Sequence, residues 1–401
     1  MLRVTQSTLY STTVTQLQDQ YRTMSQIQEK STSGQEVNRP SDDPTIAYRD
    51  MLFSTQLSEV DALVRTTDLA SERMRMAETN LSTMEGKMLD AQQLVLTLGT
   101  AVQSGQPSVF NAAAREAQAI YEDLLSSVNA ELDGVPLFSG GKTTLPYSES
   151  NLTTSAVKIR EGGQGQVKAT TGYSAALTGT PTDIPASVRV IYRSTDDAGT
   201  ALATPQYQVN VNGVEGSTID STGFPQTLDL GDGMQLQVDS APGDKDALFF
   251  EVVPAYQGGA ADREVRIATG QRLEGNVTGE EVMQGTGNGR GADVFAAVAG
   301  LRGALLRNDY EEINAWLTPV QDGRAQIQDL EAVTGVRTVL MESVNDSLEL
   351  DSDALKTVKA VNISVDAFDI YSQLQQTSQA MQMMTASERQ ILDNSLLDFI
   401  R

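Results

Sequence analysis

The chain has no cysteine and no histidine. The first absence excludes disulfide staples and thiolate nucleophiles. The second removes imidazole from any catalytic triad, and together they leave no thiolate or imidazole zinc site. Long apolar runs are also missing: nothing approaches the roughly 18 residues that a membrane helix requires. The first twenty residues, MLRVTQSTLYSTTVTQLQDQ, carry one early arginine but no continuous apolar stretch and no small-residue cleavage pattern, so any route out of the cell would not use a cleaved secretory signal. Positive charge is scarce as well. With 29 Lys and Arg against 53 Asp and Glu, the 401-residue chain carries a formal charge of −24, which repels phosphate backbones and anionic lipid. What these absences leave open is a carboxylate pair or an oxygen-ligated cation.

Glycine and proline are present but confined. Of 32 glycines, 22 lie between residues 151 and 300, whereas 1–33 and 336–401 hold neither glycine nor proline. Since these residues punctuate turns and break helices, the ends read as helix and the middle as β-structure with tight turns. From Ile46 every seventh residue reads Ile46, Phe53, Val60, Thr67, Met74, Leu81, Met88, Val95 and Val102, with Leu63, Ala70, Ala77, Met84, Ala91 and Leu98 three positions on. This alternation predicts one long coiled-coil-like helix over 44–103. Ser41, Asp42, Asp43 and Pro44 mark its start, an Asp suited to capping ahead of a Pro suited to the first helical position. Further stripes predict helices over 109–132 and 293–318, the latter ending before Pro319, and along the last 66 residues. Between them, Ser187–Tyr192 and Tyr207–Val211 alternate as strands do, and Asn212-Gly213 and Asp232-Gly233 are hairpin signals.

The expected fold is mainly α with an inserted β domain. An elongated coiled-coil-like helical bundle is built from both chain ends, with a small antiparallel β domain (151–289) at its tip. The bundle core takes 41–150 and 290–360, and the terminal helices 1–40 and 361–401 order on assembly. Of residues 1–33, 18 are Ser, Thr or Gln, yet Tyr10, Val14, Leu17, Tyr21 and Met24 keep helical spacing. Such a segment buries too little to fold alone and orders when partner helices cover its seam. The C-terminal stripe of Ile363, Ile370, Leu374, Met381, Met384 and Ile391 has the same character, and Leu396, Leu397 and Phe399 give an unusually apolar chain end. One reading closes a monomeric bundle with these helices. The other places them between subunits, where a head-to-tail contact makes rings or filaments.

No catalytic constellation assembles. Asp42-Asp43 reads as a helix cap, because adjacent residues rarely converge on one ligand. Asp229, Asp232, Asp239, Asp244 and Asp246 lack the order of a calcium loop and read as solvated turns. Gly285–Gly291 lacks the Lys-Ser/Thr ending of a phosphate loop and reads as a hinge. The expectation is no enzyme, no cofactor and no metal.

Residues 33–49, Ser-Gly-Gln-Glu-Val-Asn-Arg-Pro-Ser-Asp-Asp-Pro-Thr-Ile-Ala-Tyr-Arg, resemble the N-terminal signature of the flagellin superfamily, in the Pro40–Pro44 form of its hook-associated members. Flagellin proper usually ends this run in Asp-Asp-Ala-Ala-Gly, which is missing here. Gly134–Gly140, the stretch from Tyr256 to Gly279 and Ser395–Ile400 are similar to segments of the same members; 151–255 resembles nothing specific. The resemblance implies a structural protein of the bacterial flagellum, extracellular at the junction of hook and filament and exported unfolded without a cleaved signal. It further implies packing of terminal helices between subunits. The implied partners are other copies of the chain in a ring or helical layer, the first hook-associated protein, flagellin, a cytosolic chaperone at the C-terminal region and the flagellar export apparatus, with no nucleic acid and no membrane. Two alternatives stay open: a short flagellin filament subunit, and a β-domain adhesin or glycan-binding module on a coiled-coil stalk.

Overall fold

A computed structural model describes residues 6–101, 107–163, 168–260, 263–268, 270–286 and 291–399. The helices are α1 (Gln6–Ser33), α2 (Pro44–Ala101), α3 (Pro107–Val128), α4 (Gly279–Gln284), α5 (Val294–Leu306), α6 (Tyr310–Ala315), α7 (Leu317–Ile363) and α8 (Ala367–Phe399). The strands are β1 (Glu131–Leu132), β2 (Val135–Pro136), β3 (Tyr147–Thr154), β4 (Lys158–Arg160), β5 (Lys168–Ala169), β6 (Tyr173–Leu177), β7 (Ala186–Thr195), β8 (Ala201–Val211), β9 (Val214–Asp220), β10 (Gln226–Asp229), β11 (Met234–Val238), β12 (Ala247–Tyr256), β13 (Glu264–Ala268) and β14 (Gln271–Glu274). The chain is thus mainly helical, with long helices at both ends and an antiparallel β insertion between them, as its glycine distribution predicts.

Two compact units divide it. One comprises the residues up to Arg65 with those from Asn345 on; the other runs from Thr66 to Val344, and α2 and α7 contribute to both. In the second unit the heptad positions Met74, Leu81, Met88 and Val95 of α2 are buried beside Ala77, Met84 and Ala91. All but Met74, which packs with Ala70, Val265 and Met341, share one core with Tyr121 and Leu124 of α3, Phe295 and Leu301 of α5, Trp316, and Val253 of β12. Helix and sheet therefore close over a common interior. Helix α5 buries eleven of its thirteen residues, and the alanines and glycines among them let its neighbours come close. Gly300 is one such position: a Cβ there would stand 2.2 Å from the Trp316 ring.

Seven strands form the main sheet, in the order β5-β4-β12-β7-β8-β9 with β3 also pairing β12, and β10-β11-β6 form a smaller one. Their inner faces enclose a second apolar cluster around Val188, Val190, Tyr207, Leu236 and Phe250. Asn212-Gly213 and Asp232-Gly233 both have positive φ at the two turn positions, the geometry that a two-residue hairpin demands.

Three boundaries differ from the periodic reading. Helix α3 ends at Val128, because Asp133-Gly134 makes a further tight turn and folds 131–136 into the β1–β2 hairpin. The stripe over 293–318 is not one helix. Asn308 takes φ +53° after α5, Asp309 caps α6 and Asp293 caps α5. Pro319 does not end a helix but sits in the first turn of α7, where a missing amide costs nothing. The C-terminal stripe breaks at 364–366, between α7 and α8.

Candidate assembly interface

The first unit holds the residues with the strongest pattern and the least chemistry. Helix α1 packs against α8. Its many hydroxyls do not solvate the helix sides; they fold back on their own backbone. Thr12 donates to Thr8 O at 2.7 Å, Thr15 to Ser11 O at 2.8 Å and Thr23 to Asp19 O at 2.9 Å. This back-bonding satisfies each hydroxyl within its own turn. Gly34, at φ +69°, closes α1 with its amide on Lys30 O. The chain then pairs with the α7–α8 break: Gln35 bridges Ser364, Glu36 N donates to Ile363 O and Val365 N to Gly34 O.

The signature residues organise the turn into α2. Asp43 Oδ1 accepts from Thr45 N at 2.8 Å and Ile46 N at 3.2 Å, while Asp42 Oδ2 accepts from Arg39 N at 3.2 Å. Pro44 opens the helix, and Ser41 is exposed. A cavity of about 470 Å³ lies beside this turn, lined by Val37, Pro40, Pro44, Ile46, Met51 and Ile363 among others. Farther along, Lys359 reaches Asp50 at 3.1 Å and Ser54 at 2.7 Å, and Ser352 reaches Asp61 at 3.1 Å. These contacts run α2 and α7 antiparallel within the unit.

The predicted seam residues are placed unevenly. Val14, Leu17 and Met24 are half-buried and Ile27, which the sequence reading omitted, is buried. Tyr21 is not with them: it is 57% exposed, and Gln20 takes the half-buried position instead. The inward stripe thus follows Leu17, Gln20, Met24 and Ile27, a strict three-four spacing that hydrophobicity alone hides. On α8, Ile370 and Thr377 are buried and Leu374, Met381 and Met384 half-buried, again three-four spaced, while Ile363 at the end of α7 is buried. The side chains of Ile391, Leu396, Leu397 and Phe399 lie outside the described residues, as does that of Tyr10.

Large apolar side chains nonetheless face outward throughout this unit. Among the described residues only Ile27, Leu348, Ile363 and Ile370 are buried apolar groups, against ten large exposed ones that include Tyr48, Met51, Leu350, Val361, Phe368 and Tyr371. Phe368 is 82% exposed. Scattered apolar residues on a surface are ordinary, but among the described residues of this unit large apolar side chains are more often exposed than buried.

Nothing comparable points to catalysis. Among the described residues no three carboxylates gather as a cation site. Asp244 instead accepts from the amides and hydroxyls of Ser194 and Thr195, which hold its carboxyl down to about 2. Asp246 accepts from Gly162 N and Gly243 N. Asp232 lies in a hairpin turn, and Asp229 Oδ1 accepts from Gly231 N. The glycine-rich stretch after Gly285 falls partly outside the described residues. No described helix is long and apolar enough to cross a membrane.

Residues 4–143 match the family model for the bacterial flagellin N-terminal helical region, which agrees with the resemblance carried by residues 33–49. No curated protein sequence matches the chain. Among solved structures, one described as a flagellar hook-associated protein of Vibrio parahaemolyticus is 15% identical, with 80% of this chain and 99% of that one covered and a TM-score of 0.49. FlgL of Xanthomonas campestris is 16% identical over 77% of this chain and 99% of its own, with a TM-score of 0.38. The flagellar junction protein FlgL of Legionella pneumophila is 15% identical over 80% and 100%, with a TM-score of 0.32.

Proposed function

We propose that this chain, whose residues 4–143 match the flagellin N-terminal helical region, is a structural subunit of the bacterial flagellum that forms the junction layer between the hook-associated zone and the flagellin filament. The observation that carries the reading is the exposed apolar surface of the first unit, together with the half-buried stripes of α1 and α8. Removing such a surface from water is favourable by about 25 cal/mol per Å², and neighbouring copies of the same helices are its natural cover. A head-to-tail contact of this kind generates a ring or helical layer. The first hook-associated protein and flagellin would meet its two faces. The absence of cysteine suits a chain that threads an export channel unfolded and works outside the cell, escorted before export by a chaperone on its C-terminal region.

Charge placed on the stripe tests the assembly. Leu17→Asp or Leu374→Asp should abolish incorporation while the unit from Thr66 to Val344, which has its own core, keeps its circular dichroism. Deletion of the gene followed by electron microscopy should give cells with hooks, no filaments and flagellin in the medium. Normal filaments on both point variants would refute the seam, and purified protein that polymerises into micrometre filaments would make it a flagellin instead.

A further inference from the structure

Lys158, on β4, sits where several elements of the second unit meet. Its ammonium lies 4.6 Å from the centroid of the Trp316 ring and 3.4 Å from Oε2 of Glu251 on β12. Trp316 is fully buried at the α6–α7 corner. Ser155, between β3 and β4, donates its hydroxyl to the same Oε2 at 2.7 Å and accepts the Glu251 amide at 2.9 Å. The other carboxylate oxygen, Oε1, is buried without a hydrogen-bond partner. A second carboxyl, Asp293, caps α5 through the Ala296 amide at 2.9 Å and feels the Lys158 charge. Ser155, Lys158 and Asp293 all line one cavity of about 490 Å³, with Gln284, Pro319 and Asp322.

One ammonium therefore serves two carboxyls, Glu251 wholly buried and Asp293 half-buried at the cavity wall. Burial pushes both Glu251 and Asp293 up, and Lys158 draws both back. With one proton on the pair the cluster is neutral; a second ionisation leaves a negative charge that no further cation among the described residues meets. Among the described residues, the other titratable groups that face the cluster do not supply one. Tyr121 on α3 and Tyr147 on β3 are held protonated by burial, and Asp322 on α7 is another acid. On β7, Ser187 pairs opposite Glu251 and engages Arg307, whose guanidinium is committed to Glu312.

We propose that Lys158, Glu251 and Asp293 form a proton-dependent latch that holds the β3–β4 segment against the α5–α7 corner and releases it as the solution turns alkaline. A carboxyl that binds its proton more tightly folded than unfolded stabilises the fold fully below the ordinary carboxylate range. That stabilisation is lost as pH rises through the folded-state value. The cavity gives water a route to the second carboxylate once it ionises, so the change begins there.

Trp316 is the chain's one tryptophan and lies directly under the ammonium, so its emission reports the latch. In the full-length protein, raising the pH from about 5 to about 9 spans the range in which buried carboxyls titrate and should shift and quench that emission. Over the same range the folding constant from urea titration should fall about tenfold for each unit by which the folded pair lies above its unfolded value. Glu251→Gln keeps the Ser155 contacts and Asp293→Asn keeps a capping oxygen, and each should abolish the emission change. Lys158→Met keeps an apolar stem over the indole but removes the cation, and should move the change to higher pH. Asp293→Asn and Lys158→Met keep the test decisive if Glu251→Gln does not fold. A flat wild-type profile, or a transition that survives in a folded Glu251→Gln or Asp293→Asn variant, overturns the latch.

Discussion

Glu312 is fully buried and yet carries two guanidinium partners. Arg307 approaches it from the end of α5 and Arg189 from β7 at 3.0 Å, while Arg189 also reaches Asp309 at 3.0 Å. Burial pulls the Arg189 guanidinium down from its ordinary value, and the two carboxylates push it back up. Such a site is costly to build and costlier to break, because removing one member strands the others in a poor solvent. Glu312→Ala should destabilise the second unit by about 3–5 kcal/mol in urea titration. A combined Arg307→Met and Glu312→Leu replacement should lose far less, since no charge is then left unpaired. This network was invisible in the sequence. Arg307 caps the end of α5 and Glu312 lies in α6, and Arg189 comes from a strand more than a hundred residues away, so no local spacing announces them.

The elements show what periodicity can and cannot convey. Helix α2 was legible because its three-four alternation, although Arg49, Gln56 and Thr67 interrupt it, runs on over many heptads and Asp43-Pro44 states where it begins; the predicted end at 103 lies outside the described residues. The hairpins at Asn212-Gly213 and Asp232-Gly233 were legible for a different reason: few residue pairs tolerate two successive positive φ angles. Helix α5 was misjudged in length because an all-round apolar segment has no polar face to mark its end, and the Asn308 turn interrupts it without glycine or proline. The α1 seam was half legible. Hydrophobicity selected Tyr21, whereas the heptad geometry selected Gln20, an error of one position on a helix whose polar residues hide their hydroxyls in the backbone. Close approach at α5 gives a test at this scale. Gly300→Ala places a methyl within reach of Trp316 and should cost about 1–3 kcal/mol by overpacking, lowering the melting temperature with no change in helix content.

Across the whole molecule the formal charge is −24, and every copy added to an assembly brings that charge with it. Residues 1–40 hold four basic and three acidic groups, so the N-terminal helix packs without adding to the repulsion, and the acidic surplus belongs to the remainder. Repulsion between such subunits is long-ranged in dilute buffer and short-ranged in salt, since the screening length falls from about 30 Å at ~0.01 M to about 8 Å at ~0.15 M. Light scattering by purified protein should therefore show association that strengthens over this range of sodium chloride. Association that weakens with salt would mean that ion pairs, and not apolar helix faces, join the copies.

The burial of α5 on nearly every side also sets the pace at which the protein can fold. Its thirteen residues, Val-Phe-Ala-Ala-Val-Ala-Gly-Leu-Arg-Gly-Ala-Leu-Leu, find their cover on α3, β7 and β12, and α3 and β7 lie one to two hundred residues away along the chain. Closing loops of that length comes before any reward from the contacts they make, so the core of the second unit condenses late and slowly. Until then the apolar sides of α5 stay uncovered, the condition in which a folding chain is most prone to aggregate.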